Sequence, residues 1–290
     1  MNHSESPIKF AHPNADLLIP DGAPTQEALA RTTHLCLAAH QDDIEIFAYN
    51  GIAECFGKDD QWFGGVVITN GSASARSGLY ADYTDEQMQE VRRSEQRKAA
   101  YVGEYSFQAQ LAHPSSIVKD PDNPDVVADL KAIVESTRPD IVYLHNPADK
   151  HDTHIGCLLR CLQAIRALPH VIRPQKALGC EVWRDLDWLL DSDKQVLPVE
   201  KYGNIAAALV GIFDSQITGG KRYDLATTGR RLANATYYNS HSVDAAQALT
   251  FAIDLTPLIQ DDTLCIKDYT LGYIERFKED VAKRIEKMGG

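Results

Sequence analysis

The feature that most constrains this chain is an alternation. Short apolar runs suited to buried strands take turns with stretches whose apolar residues recur every three or four positions. The runs lie at 34–39 (HLCLAA), 62–71, 141–146 and 176–183, and 106–112 (SFQAQLA) is a further, more polar candidate strand. Helical patterns fill the gaps at 44–57, 84–103, 123–140 and 154–168. Thr84 and two acids open the second helix and Gly103 closes it, while a proline stands at the start of the third. Strand and helix in this order predict an α/β fold: a Rossmann-like, mostly parallel sheet with helices on both faces and right-handed crossovers. Residues 1–30 read as an N-terminal arm with a short helix near TQEALAR, and 31–290 as one α/β domain, less regular after about 190. In that later part, 202–217, 223–238 and 268–288 read as helices and 248–254 as an edge strand. There is no internal repeat.

Open parallel sheets bind ligands beyond the carboxyl ends of their strands. Three polar clusters fall there: His40, Asp42 and Asp43 after the first run, Asn70 and Gly71 after the second, and 145–156 (HNPADKHDTHIG) after the run at 141–146. His40 and Asp43 are three apart at a strand-to-helix turn, so imidazole and carboxylate can aim at one divalent metal. Asp42 would then lie free beside a water at that metal. Of His151 and His154, one suits a third ligand and the other a proton donor. Three protein ligands are what a catalytic zinc site needs; structural sites are usually closed with four. Each cluster also has a plainer reading. Adjacent aspartates at a helix start commonly cap it, and a lone His-x-x-His is usually surface or capping. It is their convergence on one rim that favours a metal site. Cys157 and Cys161 repeat at helical spacing with Leu158 and Leu162 and read as core.

Composition narrows the function classes. A formal net charge of -12 disfavours nucleic-acid binding, which needs clustered Lys and Arg. Six cysteines without CxxC pairs fit a reduced, cytoplasmic protein. No signal-peptide pattern and no apolar run of membrane-spanning length is visible.

The pair AAHQDDIE and NPADKHDTHIG resembles the PIG-L/LmbE-like zinc-dependent N-deacetylases. VVITNGSAS resembles that family's second-strand TxG segment, and VRRSEQRKAAYVG its R-x-x-E-x-x-x-A-A-x-x-G helix; FDSQI and GRRLANATYY match later segments more loosely. The resemblance runs over about 33–240. It implies that His40, Asp43 and His154 hold Zn2+ or another divalent metal. Asp42 would be the general base, and His151 would protonate the leaving amine or stabilise the oxyanion. The implied substrate is an N-acetylated amino sugar of the N-acetylglucosamine type, or its conjugate. Arg76, in a loop over the rim, with Asn70 and Asp149, are candidates for substrate contact. Arg92, Arg93 and Glu95 read as salt-bridging residues within or between elements.

Three positions depart from the family pattern. Gln41 replaces a proline and Glu45 lies one place late; Thr153 interrupts H-x-D-H, leaving Asp149 or Asp152 to orient His151; Asp214 stands for a histidine. Rival readings are a metal hydrolase of another bond such as a phosphoester, and a metal-binding relative without turnover or with different specificity. A phosphoesterase would want two metals with bridging carboxylates, and only one His-Asp-His set is visible. A nucleotide-binding Rossmann domain is disfavoured because HQDDIE occupies the G-x-G-x-x-G position. The expected partner is a small-molecule amino-sugar conjugate, and a homo-oligomer is compatible with the sequence.

Overall fold

A computed structural model describes residues 8–290; the first seven residues of the expected arm lie outside the described residues. Five parallel strands form the centre of one eight-stranded sheet: β2 (His34–Ala38), β3 (Phe63–Thr69), β4 (Phe107–His113), β5 (Ile141–His145) and β6 (Lys176–Cys180). They lie in the order β4-β3-β2-β5-β6. β1 (Asp16–Leu18) adds antiparallel outside β4, and β8 (Leu249–Asp254) and β7 (Lys194–Pro198) extend the other side, each antiparallel to its neighbour.

The run 35–38 is apolar throughout because β2 is buried on both faces. Leu35 and Leu37 enter one core with α6 (Asp125–Thr137) and α7 (Asp152–Arg166). Cys36 and Ala38 enter the other with α2 (Asp43–Phe47), α3 (Tyr49–Cys55) and α4 (Asp85–Val102). Helices therefore cover both faces, as the alternation predicts. Thr84 caps α4 with a capping box: its hydroxyl accepts from Gln87 N, and Gln87 Oε1 accepts from Thr84 N. Cys157 and Cys161 are fully buried in the first core.

Several elements differ from expectation. The helix expected at 44–57 is two, because Ala48 leaves helical geometry at φ −104° and ψ 16°. The helix expected at 202–217 breaks before Phe213 into α8 (Gly203–Gly211) and α9 (Asp214–Ile217). Pro124 caps α6 instead of opening it. The strand at 249–254 is not an edge: β7, a mostly half-exposed segment, covers it. Short α5 (Ser115–Lys119) and α11 (Thr256–Gln260) lie in connections that carried no clear signal. α1 (Thr25–Ala30), α10 (Tyr223–Tyr237) and α12 (Ile266–Lys287) agree closely with expectation. Among the described residues, no helix is long and apolar enough to cross a membrane.

The order has one topological switch point. From β2 the chain builds outward through β3 and β4, then returns to place β5 on the other side of β2. The crevice between the carboxyl ends of β2 and β5 is where such a sheet opens to a ligand.

Candidate functional site

The crevice is filled by side chains from the two loops that leave β2 and β5. After Ala38 the backbone turns sharply through His40–Asp43. Asp42 sits at φ 93°, a conformation that non-glycine residues reach only under constraint. The turn folds back on itself, with His40 N donating to Asp43 Oδ2 at 2.7 Å. Asp43 and His40 are thereby presented together at the end of the strand.

Arg92 of α4 holds this turn from behind. Its guanidinium donates to Gln41 O at 2.7 Å, to Ser74 Oγ at 2.7 Å and to Gly71 O at 3.3 Å, and lies 3.4 Å from Asp42 Oδ2. Arg92 thus pairs with Asp42 between elements and Arg93 with Glu90 within α4 at 4.0 Å, as read, while Arg93 also reaches Asn14 O and Glu95 accepts from Ser215. Gln41, in the place of a proline, is buried; its Nε2 donates to Gln110 Oε1 on β4. Glu45 is also buried, accepting from Gln96 and Tyr105, and burial lifts its pKa to about 7.

From the other side, His151 caps α7 and His154 lies in its first turn. Asp149 organises both. Its Oδ2 is 3.0 Å from His154 Nδ1, and its Oδ1 accepts from His151 N at 2.9 Å. With Nδ1 of His154 facing that carboxylate, Nε2 carries the lone pair and points into the crevice. There it lies 3.1 Å from His40 Nδ1 and 3.5 Å from Asp43 Oδ2; His40 Nδ1 and Asp43 Oδ2 are 3.3 Å apart. Donors around a tetrahedral zinc at about 2.0–2.1 Å stand about 3.3 Å from one another. The three atoms fit such an ion in number, chemistry and spacing. Overlapping trios of donors, His40–His151–His154 and Asp43–His145–His154, also meet closely enough to hold a metal.

Electrostatics follow from this packing. Asp43 is buried, which would raise its pKa, but His154, His40 and His145 outweigh burial and hold it far below the usual carboxylate range. Burial pushes His40 down to about 4, with Asp43 opposing. His154 is desolvated too, yet Asp43 and Asp149 pull its pKa up. Asp42 behaves oppositely to its neighbour: burial raises it well above the ordinary value, Arg92 opposes, and Asp43 adds to the rise.

His151 accepts from Thr153 N at its Nδ1, so its Nε2 holds the proton, and its ring stacks on His154 at 4.6 Å. His145 was not among the expected site residues. It stacks on His154 at 3.9 Å, and its Nε2 is occupied by Ala39 N at 2.9 Å. Its place as the last residue of β5, on the same rim, was the available signal.

A cavity of about 400 Å³ opens over the cluster. His40, Asp42, Asp43 and His151 line one side. The other side includes Glu181 and Trp183, which follow β6, and residues of α10 and β8. The sequence reading kept 181–183 inside a strand; ending that strand at Cys180 places them on the rim. The three expected substrate contacts lie elsewhere. Arg76 is tied to Tyr83 O, Ser72 O and the Asp85 carboxylate, so it braces its own loop. Asn70 accepts from Ser72 N, and the Asp149 carboxylate is fully buried behind His154. None of the three lines the cavity.

Residues 35–165 match the family described as PIG-L, GlcNAc-PI de-N-acetylase, a segment that includes both motifs of the sequence resemblance. No curated protein matches the chain in sequence. Several solved structures share the fold. N,N'-diacetylchitobiose deacetylase from Pyrococcus horikoshii has 13% identity and a TM-score of 0.58, covering 80% of this chain and 86% of its own. A40926 pseudoaglycone deacetylase has 14% identity and a TM-score of 0.57, covering 77% and 97%. The 4-carboxy-2-hydroxymuconate hydratase from Pseudomonas putida KT2440 has 14% identity and a TM-score of 0.58, covering 77% and 95%. The neighbours thus include enzymes named for two different chemistries.

Proposed function

We propose that this protein is a metal-dependent N-deacetylase that removes the acetyl group from an N-acetylated amino sugar of the N-acetylglucosamine type, or from its conjugate. One observation carries the reading: His40, Asp43 and His154 present three donors at the spacing of a tetrahedral ion, with Asp42 and His151 lining the same cavity. The family description and the names of the deacetylase neighbours support the amide as the bond and the amino sugar as the substrate.

His40, Asp43 and His154 would hold the ion, with zinc the best match to one carboxylate and two imidazoles. Such a metal supplies Lewis acidity, polarising the acetyl carbonyl and acidifying water. The remaining work falls to the chain. Asp42, whose proton affinity is raised by burial, takes the proton of the attacking water. Arg92 keeps that carboxylate beside the cluster. His151 donates a hydrogen bond from its Nε2 to the developing oxyanion, and the proton taken up by Asp42 passes to the departing nitrogen. The C–N bond breaks, leaving acetate and a free amine. All six cysteines are unpaired thiols, five of them buried, which supports a reducing, cytoplasmic setting.

Because a hydratase shares the fold, the test reads acetate directly. The zinc-loaded protein is assayed for acetate release from N-acetylglucosamine conjugates. Asp42→Asn is expected to retain the metal and lose turnover by roughly 10²- to 10⁴-fold, whereas His154→Ala loses both. An active metal-free enzyme, or a fully active Asp42→Asn, sinks the reading.

A further inference from the structure

The cavity has a second wall that the deacetylation chemistry leaves unused. Glu181 directly follows β6, and Thr250 is the second residue of β8. Both line the cavity, and both are more than nine-tenths buried, at 2% and 4% exposure. Each keeps one polar atom without a hydrogen-bond partner among the described residues: Glu181 Oε2 and Thr250 Oγ1. The other carboxyl oxygen of Glu181 accepts from Asn234 Nδ2 at 3.0 Å, so the carboxyl group is held in one orientation. A purely structural role would favour apolar side chains of similar shape here, because a buried polar atom without a partner destabilises the fold.

The wall is continuous with the metal cluster. Trp183 lies two residues beyond Glu181, and its ring is stacked 6.5 Å from that of His151. The arginines nearby are engaged within the protein. Arg230 pairs with Asp185 and donates to Val182 O, and Arg231 donates to Glu45 O and Ile46 O. Lys221 also lines the cavity, over the Trp183 ring at 5.3 Å, but beside Glu181 the engaged arginines and the acidic side chain itself disfavour an anion as occupant. A hydroxyl group, which both donates and accepts, satisfies a carboxyl oxygen and a threonine hydroxyl together.

We propose that Glu181 and Thr250 form a hydroxyl-binding subsite that holds the sugar portion of the substrate while its acetamide lies at the His40–Asp43–His154 cluster. The assignment rests on the amino-sugar deacetylase reading and names residues that determine its specificity. Burial, with Asp185 adding to it and Arg230 opposing, lifts the Glu181 pKa to about 7, so either protonation form is accessible near neutrality, and both can bond to a hydroxyl.

The experiment uses the zinc-loaded full chain with two probes: N-acetylglucosamine with its 3-, 4- and 6-deoxy analogues, and N-cyclohexylacetamide, which has the amide and no hydroxyl. Acetate release gives kcat and KM; calorimetry in the Asp42→Asn background gives the dissociation constant. Glu181→Ala is expected to weaken sugar binding about 10- to 100-fold with kcat little changed, and to leave the hydroxyl-free amide unaffected. One deoxy sugar reproduces that loss with the wild type and shows no further loss with Glu181→Ala. Thr250→Val is expected to melt at the same or a higher temperature while binding the sugar more weakly, a pair of signs that a structural role does not produce. Glu181→Gln keeps the bond to Asn234 and serves as the folded control. Unchanged sugar binding in both Glu181→Ala and Thr250→Val overturns the subsite, as does an equal loss for the hydroxyl-free amide. Acetate release that ignores Glu181 removes the subsite and spares the deacetylase. Glu181-dependent sugar binding without acetate release does the reverse, and a wild type that neither binds nor cleaves removes both.

Discussion

Asp149 shows how a residue's role follows from where its two oxygens go. Both are committed, one to His154 Nδ1 and one to His151 N, behind the cluster. The sequence leaves it among substrate contacts, or as the partner of His151, because spacing in a loop does not say which imidazole a carboxylate will face. Its geometry predicts a specific phenotype. Asp149→Asn should weaken zinc about 10- to 100-fold, since the amide no longer fixes the His154 tautomer. Titration with a competing chelator measures this; an unchanged zinc affinity with a raised KM would return Asp149 to substrate binding. Glu181 gives a second prediction at this scale. Its folded pKa of about 7 exceeds the ordinary 4.5, so folding takes up a proton between those values. The sign follows: this contribution to stability is fully present below pH 4.5 and is lost as pH rises through 7. Glu181→Gln, neutral throughout, should gain on the wild type from pH 5 to pH 8, by on the order of 3 kcal/mol at most. Denaturant melts at the two pH values decide it, and a constant difference would mean that Glu181 titrates normally.

At the scale of elements, what was legible followed from burial pattern. β2, β3, β5 and β6 are mostly apolar because both faces are covered, β4 is buried too but interleaves Gln108 and Gln110 with apolar residues, and α4 carries its own cap and stop, so each is visible locally. The His40–Asp43 and His151–His154 clusters were legible for a related reason: their positions after two strands placed them on one rim before any distance was known. What was not legible depends on partners distant in sequence. The break at Ala48 keeps the apolar period of 44–57 intact, so periodicity cannot reveal it. β1 and β7 are short and half-exposed, and they exist only because β4 and β8 offer free edges. Arg92 looked like any helix arginine; its bonds to Gln41, Gly71 and Ser74 appear only when α4 packs behind the turn. The contact between the β2 and β3 loops is testable. Gly71 has φ +71°, and a Cβ there would meet Gln41 Oε1. Gly71→Ala should destabilise the protein by about 1–3 kcal/mol, from strain and overlap together. Gln41→Ala should restore only the part due to overlap, because the positive φ remains. Thermal melts of the two single variants and the double variant separate these parts; simple additivity would show that the two loops do not press on each other.

Across the whole molecule, the switch point makes the cluster a joint as well as a site. His40 belongs to the β2–α2 connection, Asp43 opens α2, and His154 lies in α7, which follows β5, so an ion held by all three, as proposed, would tie the two halves of the parallel sheet together. Without it, a buried carboxylate and three imidazoles share one pocket, where burial drives His40 and His145 down while Asp43 and Asp149 pull His154 up. A ligand that binds only the folded chain stabilises it by RT ln(1 + [L]/Kd), about 2.7 kcal/mol at a hundredfold excess over Kd. For a chain of this length that corresponds to a rise in melting temperature of roughly several degrees. Chelation should therefore lower the melting temperature by that amount, and zinc should restore it. His154→Ala should abolish the shift, since two of the three donors cannot bridge the halves. Glu181→Ala, on the far wall, should leave it intact. Calorimetric scans of the three proteins with zinc and with chelator test the arrangement independently of any substrate. A shift that survives His154→Ala would place the stabilising metal somewhere other than this crevice.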